Sequence, residues 1–440
     1  MKVAVVGAGW AGMAAALGAA RQGHAVTVFE AARTVGGRAR ALTVPAQDGT
    51  PLTLDNGQHI LIGAYAECLR LMRSVGVAER DALLRMPLAL PFADGTGLRL
   101  PDLPPPWDAL VGIARARGWS WGERLALLRT AAAWRLGGFT CGPQSTVADL
   151  CAHLPARLQQ EFIDPLCVSA LNTPAAQSSG RVFLRVLRDS LFSGRGGSHL
   201  LLPRVDLGAL LPEPAAQWLR AHGHTVHLGR RVAALQAAQP QPGWLLDGEA
   251  FDAVVLATTS TEAARLAGTA AATLPAQSPH GMALAAWAAC AQALPFTAIA
   301  TVYARHPAAR GPVLPGPMVA LRSGPGQPAQ FVFDRQPLGG PAGLLAFVVS
   351  AFEGERSTLE AQVRQQAAEQ LGLAPLEIVQ TVVEKRATFA CLPDLQRPAL
   401  QPAPGLALWA CGDYIDGPYP ATLEGAVLSG TAAAQVLGSA

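Results

Sequence analysis

Val3-Ala4-Val5-Val6-Gly7-Ala8-Gly9-Trp10-Ala11-Gly12 decides the fold of this chain. The apolar run Lys2 to Val6 ends directly in the glycines, and an alanine-rich stretch of helical character follows. A second apolar run, Ala25 to Phe29, ends at Glu30, 18 positions beyond Gly12 (30 − 12). Strand, glycine turn, helix, strand and acid, in that order, describe a βαβ dinucleotide site. Gly7 permits the tight turn, Gly9 lets the backbone approach a pyrophosphate, and Gly12 lets the helix pack close on the sheet. Gly7, Ala8, Gly9, Ala11 and Gly12 are therefore the expected cofactor contacts of the turn. The helix N-terminus faces the phosphates with its partial positive charge. Glu30 can accept hydrogen bonds from both ribose hydroxyls and would repel a 2′-phosphate.

Lys2 followed by an apolar stretch also mimics a secretory leader. A leader has no need of glycines at this spacing, nor of the acid and arginines that follow. The expectation is a cytoplasmic protein.

Outward from the turn, Arg33, Gly36-Gly37-Arg38 and Arg40 follow Glu30 closely. That order resembles the Arg-x-Gly-Gly-Arg stretch after the second strand of the amine oxidase and phytoene desaturase flavoproteins. The resemblance implies FAD, with Gly37 and Arg38 covering its pyrophosphate. Two further strings carry the likeness: Asp55-Asn56-Gly57-Gln58-His59-Ile60-Leu61-Ile62-Gly63-Ala64-Tyr65, and Cys411-Gly412-Asp413-Tyr414 running through Pro420-Ala421-Thr422-Leu423-Glu424-Gly425-Ala426 to Ser429-Gly430. The second resembles the C-terminal flavin signature of the superfamily. Together they resemble the hydroxysqualene dehydroxylase family, squalene-associated FAD enzymes of bacterial hopanoid pathways. Asn172-Thr173-Pro174 and Glu384-Lys385-Arg386-Ala387-Thr388-Phe389-Ala390 fit the same pattern. The resemblance implies flavin contacts at Gly57, Gln58, His59, Gly412, Asp413, Ala421 and Thr422, and an adenine contact from a backbone amide near Val232.

The implied fold is α/β: a Rossmann-like FAD-binding domain, split in sequence, with an inserted α+β substrate domain. The expected segments are 1–63, 221–278 and 401–440 for FAD, a mostly helical region 64–220, and a substrate-domain sheet in 279–400. Val226 to Leu235 and Asp252 to Ala257 read as strands returning to the cofactor domain. Gln330 to Phe333 and Leu344 to Ser350 read as strands of the substrate sheet.

Bulk properties narrow the remaining classes. Half of the 440 residues are hydrophobic and 15% are charged, enough for a large buried core. The net charge of +3 gives no case for a nucleic-acid partner. Seven cysteines, an odd number with no CxxC pair, read as reduced thiols, and no cluster has metal-ligand spacing. No cysteine offers a trusted covalent flavin link; Cys411 reads as a small buried residue, so FAD is expected to bind non-covalently. Arg265 to Arg305 contains no charge between its ends. By length it fits a membrane span; Gln292, Pro295 and the β-like run Phe296 to Tyr303 favour buried strands and a packed loop. From Pro101 to Phe139, Trp107, Trp119, Trp121 and Trp134 interleave with Arg115, Arg117, Arg124, Arg129 and Arg135. Leu125, Leu128, Ala132 and Leu136 share one helical face, which suits either the core or a lipid interface on the inner side of the cell membrane.

The chemistry the resemblance implies is reductive removal of the allylic hydroxyl of hydroxysqualene, a polyprenyl substrate, with hydride from reduced flavin. A proton donor, stabilisation of the allylic cation and a dry site are required. His59 leads as the acid, since histidine titrates in the useful range. Asp55 and Tyr419 are further candidates; Asp55 could equally cap a turn. Two other classes stay open: an oxidising flavoenzyme of the same fold, such as a carotenoid desaturase or amine oxidase, and a non-catalytic binder of prenyl lipids. There is no second nucleotide fingerprint, so the electron donor has no signature here.

Overall fold

Lys2–Val6 is buried from its second residue onward, as a central strand covered on both faces must be, and this is why its residues run apolar rather than alternating. The computed structural model describes residues 1–45, 49–192, 194–238, 242–275 and 277–438. The expected segments 1–63, 64–220, 221–278 and 401–440 each include between one and four positions outside those described.

Two five-stranded sheets organise the chain. In chain order their strands are β1 (Lys2–Val6), β2 (Ala25–Phe29), β3 (Thr225–His227), β4 (Ala253–Leu256), β5 (Phe296–Arg305), β6 (Met318–Ala320), β7 (Phe331–Asp334), β8 (Leu344–Ser350), β9 (Glu377–Phe389) and β10 (Leu408–Ala410). The helices around them include α1 (Trp10–Arg21), α2 (Ala66–Ser74), α3 (Trp107–Arg115), α4 (Trp121–Leu136), α5 (Gly180–Leu191), α6 (Pro279–Gln292) and α7 (Leu423–Leu437). The first sheet runs β3-β2-β1-β4-β10, with every pair parallel. Its strands come from three stretches far apart in sequence. The second runs β6-β7-β8-β5-β9, with every pair antiparallel. A Rossmann-like half and an inserted α+β half are thus both present.

Small residues bring the ends of the chain together. α1 packs against both the parallel sheet and α7. A Cβ on Gly430 would stand 2.2 Å from the Ala11 carbonyl oxygen, and one on Gly18 would stand 2.5 Å from the Ala434 Cβ. The alanine and glycine content of both helices is what lets their backbones approach this closely.

Two sequence expectations need correction. The uncharged stretch before Arg305 is not strands and loop throughout: Pro279–Gln292 is helix α6, and only then does β5 begin. Ser278 caps it by accepting from Gly281 N at 3.0 Å, and Pro279 opens its first turn, a start signal that apolar periodicity obscures. Among the described residues, no helix is long and apolar enough to cross a membrane. Val226 to Leu235 is not one strand. β3 stops at His227, Gly229 turns at φ +69°, and a separate short strand, Leu235–Ala237, pairs in another sheet.

Candidate active site

The glycine turn is shaped by what its residues lack. Gly7 sits at φ +113°, and a Cβ there would lie 2.4 Å from the Ala257 carbonyl oxygen. A Cβ on Gly12 would lie 2.0 Å from the Gly7 oxygen, so α1 can start against the strand end only with glycine there. Gly9 differs: a Cβ would meet nothing nearer than Gly37 Cα at 3.9 Å. Its side-chain position is open, with only Gly37 Cα within 4 Å. No side chain caps α1, and no carboxylate lies in its first turn, which leaves its amide end to an anion.

Glu30 is oriented by its neighbours. Its Oε2 accepts from Ala8 N at 2.8 Å and its Oε1 from Ala32 N at 2.7 Å, with further lone pairs available to a diol. The second glycine loop zips onto the first: Gly36 N donates to Ala8 O at 2.9 Å. Arg38 reaches across the molecule, donating to Ala387 O at 2.6 Å and to Asp413 Oδ1 at 2.5 Å. Gly412 is fixed by Ser429 Oγ, which accepts its N–H at 2.9 Å. The Val232 carbonyl accepts from Arg265 at 2.9 Å, while its N–H has no partner among the described residues. Tyr414 folds its ring over Gly412, and its buried hydroxyl has no hydrogen-bond partner among the described residues. Open space at Gly9, an uncapped helix end, a pre-oriented acid and unmet donors at Val232 and Tyr414 all fit a dinucleotide.

Ala421 and Thr422 enter at the start of α7. Ala421 adopts φ +58° and donates its N–H to Asp413 O at 3.1 Å. The Thr422 hydroxyl accepts from Gly425 N at 2.9 Å, as the helix cap. Glu424 lies in the first turn of α7, where an acid suits the helix dipole, but it does more. Its two oxygens accept from Glu67 N and Cys68 N, each at 2.9 Å, so it caps α2 from another element. Burial raises its carboxyl above the usual range, against those two amides.

The three candidate catalytic residues are not gathered together. Asp55 is 2% exposed; its Oδ1 accepts from Leu207 N at 2.9 Å and its Oδ2 lies 3.8 Å from Arg335. Burial raises its carboxyl to about 6, against the Leu207 amide and the Arg335 charge. Tyr419 donates to Asp189 at 3.0 Å and lines a cleft of about 510 Å³ with Gly63, Ala64 and Arg85; neither His59 nor Asp55 lines it. Burial and then Asp189 raise its phenol above the usual range.

Among the described residues, one ring nitrogen of His59 has no hydrogen-bond partner. Its Nδ1 lies 2.9 Å from the Gly57 carbonyl, which can only accept, so Nδ1 carries the proton and Nε2 presents a lone pair. Burial lowers its pKa despite that hydrogen bond, and the Arg38 charge adds to the lowering. Its segment is anchored from elsewhere in the chain, in part by Thr301 and Arg335, which the sequence did not single out. Thr301 Oγ1 of β5 accepts from Gln58 N at 3.4 Å, Arg335 donates to Gln58 Oε1 at 2.9 Å, and Tyr303 donates to Asp55 O at 3.0 Å. Asn56 donates to Arg38 O at 3.1 Å and to Glu384 at 3.2 Å. The available signal for Arg335 was Asp334-Arg335 closing an apolar strand in a chain poor in charge.

A Rossmann-like sheet, a glycine cradle and a substrate sheet joined to it by Arg38 define an FAD-dependent oxidoreductase. The chain belongs to the flavin containing amine oxidoreductase family, whose pattern matches residues 10–438, and its cofactor is FAD. It resembles in fold an oxidoreductase from Methanosarcina mazei, with a TM-score of 0.71 at 17% identity, over 99% of this chain and 100% of that one. Within the family, a hydroxysqualene dehydroxylase of Rhodopseudomonas palustris is 30% identical over 455 residues, covering 99% of this chain and 98% of the relative. A zeta-carotene desaturase of Capsicum annuum is 35% identical over 85 residues, only 19% of this chain and 14% of that protein. The likeness to hydroxysqualene dehydroxylases read from the motifs therefore extends through both halves of the molecule.

Proposed function

We propose that this protein converts hydroxysqualene to squalene by replacing the allylic hydroxyl with hydrogen. The observation that carries this reading is the end-to-end relationship to the Rhodopseudomonas palustris protein of that name, whereas the Capsicum annuum desaturase matches about a fifth of the chain. When bound, reduced FAD supplies the hydride that takes the place of the hydroxyl lost as water.

The chain's own residues divide the remaining work. Gly9, the α1 N-terminus and Glu30 hold the dinucleotide. Cys411 is buried and its thiol pushed far above the usual range by that burial, which makes it inert and supports a non-covalent cofactor. His59 accepts a hydrogen bond from the substrate hydroxyl at Nε2 and, when that nitrogen is protonated, passes the proton to the leaving oxygen. Burial and Arg38 keep the charged form scarce at neutral pH, so turnover rises as pH falls through neutrality. Asp55 and Tyr419 serve as supports, holding the neighbouring backbone and α5 respectively.

The test is a single turnover without oxygen. Chemically reduced holoprotein is mixed with hydroxysqualene, and flavin reoxidation is followed together with squalene. One squalene per flavin reoxidised is expected. A flavin that stays reduced beside intact substrate would overturn the reading in favour of an oxidising enzyme.

A further inference from the structure

Exposed apolar side chains are unevenly placed on this molecule. Ten large hydrophobics stand exposed among the described residues, and six of them, Leu103, Trp107, Leu110, Trp121, Leu125 and Leu136, fall within one stretch of α3, α4 and their approach. Trp107 is 61% exposed, Trp121 75% and Leu136 90%. A patch of this kind on an otherwise dressed surface marks an interaction site.

The burial of α4 separates the two readings its sequence allowed. Leu127 and Thr130 are buried, and Trp134 meets Phe183 of α5 edge-on, with ring centres 6.3 Å apart. At roughly 100° per residue, Trp121, Leu125, Leu128, Ala132 and Leu136 occupy about 80° of arc on the opposite side, with Arg129 and Arg135 at its two edges. Trp121, Leu125, Ala132 and Leu136 therefore look away from the core, while Leu128, half-buried against it, lies at the edge of that face. On α3, Trp107 and Leu110 are exposed while Asp108, Gly112 and Ile113 are buried. Arg124 joins the two helices, donating to Ala114 O at 2.9 Å and Ala116 O at 2.7 Å with its guanidinium 4.7 Å from the Trp121 ring centre.

Charge identifies the occupant. Arg115, Arg117, Arg129 and Arg135 are exposed, and none has a carboxylate partner among the described residues. The acids of the same helices are engaged: Asp108 is buried, and Glu123 closes a capping box with Ser120. A second copy of the chain would set this arginine-edged face against itself with no acids to pair. Lipid phosphates complement it, and tryptophans favour the depth at which headgroups meet acyl chains.

We infer that this face docks peripherally on an anionic bilayer, with Trp107, Trp121, Leu125 and Leu136 seated at the interface and the four free arginines on lipid phosphates. The inference is independent of the reaction proposed above. It is tested by sedimenting FAD-loaded protein with vesicles of phosphatidylcholine alone or mixed with phosphatidylglycerol. Binding to the anionic vesicles is expected, weakened about fivefold by each of Arg129→Gln and Arg135→Gln. Trp121→Ser combined with Leu136→Ser should abolish it, with flavin content and melting temperature unchanged. Three results would overturn it: no sedimentation with either vesicle, equal binding to both compositions or by the doubly substituted protein, or a dimer seen by light scattering that the same substitutions dissociate.

Discussion

The glycine turn at Gly7–Gly12 and the segment Asp55–His59 both belong to the candidate active site, yet they are held in opposite ways. The turn is local. Its shape follows from missing side chains and from backbone contacts to the adjoining strands. The second segment is held by side chains from distant parts of the chain: Thr301, Tyr303, Arg335 and Glu384. On the function proposed above, the first is a cradle whose failure would remove the cofactor. The second is a charged network whose failure changes what happens beside it.

The largest effect expected from breaking this contrast is at Gly12. Gly12→Ala places a methyl 2.0 Å from the Gly7 oxygen, which the backbone can relieve only by moving α1. Destabilisation of about 3 kcal/mol or more is expected, with colourless protein, read by thermal melting and flavin absorbance.

Next comes the pH dependence of the network. The folded Asp55 carboxyl titrates at about 6 against 3.8 as the ordinary value. The folded state therefore binds the proton more tightly, and this contribution is complete below about 4 and lost as pH rises through about 6, up to about 3 kcal/mol. Denaturant titrations from pH 4 to 7 should show this decline as one component of the profile, and Asp55→Asn should flatten that component. An unchanged profile in the variant would place the titration elsewhere.

The smallest change to the fold is at Gly9, and it sharpens the comparison. Gly9→Ala finds no atom within 3.9 Å, so the apoprotein should melt within about 2 °C of wild type. Its methyl projects where a pyrophosphate would pass, so FAD affinity should fall about tenfold or more, measured by flavin release on dilution.

The same contrast explains what the sequence made legible. Gly7, Gly9, Gly12, Glu30 and Gly36-Gly37-Arg38 lie within forty residues, and spacing alone declares their geometry. The strand Leu344–Ser350 was equally plain, being long, apolar and β-branched. Leu207, Arg335 and Glu384, which hold Asp55, Gln58 and Asn56, lie 152 to 328 positions from them, and no local pattern encodes such pairings. Helix α6 was hidden for another reason: its outer face is mostly alanine, so buried and exposed positions both read as apolar and the periodicity that separates helix from strand is lost. Glu424 looked like a dipole acid because only the fold brings α2 to it.

The most direct test of this division of labour is the single turnover of FAD-loaded His59→Gln protein without oxygen, beside wild type. The account predicts full flavin occupancy, normal chemical reduction and squalene formation slowed about 100-fold or more. An unchanged rate would remove His59 from the chemistry, and loss of flavin from the variant would contradict the separation of cradle from catalyst.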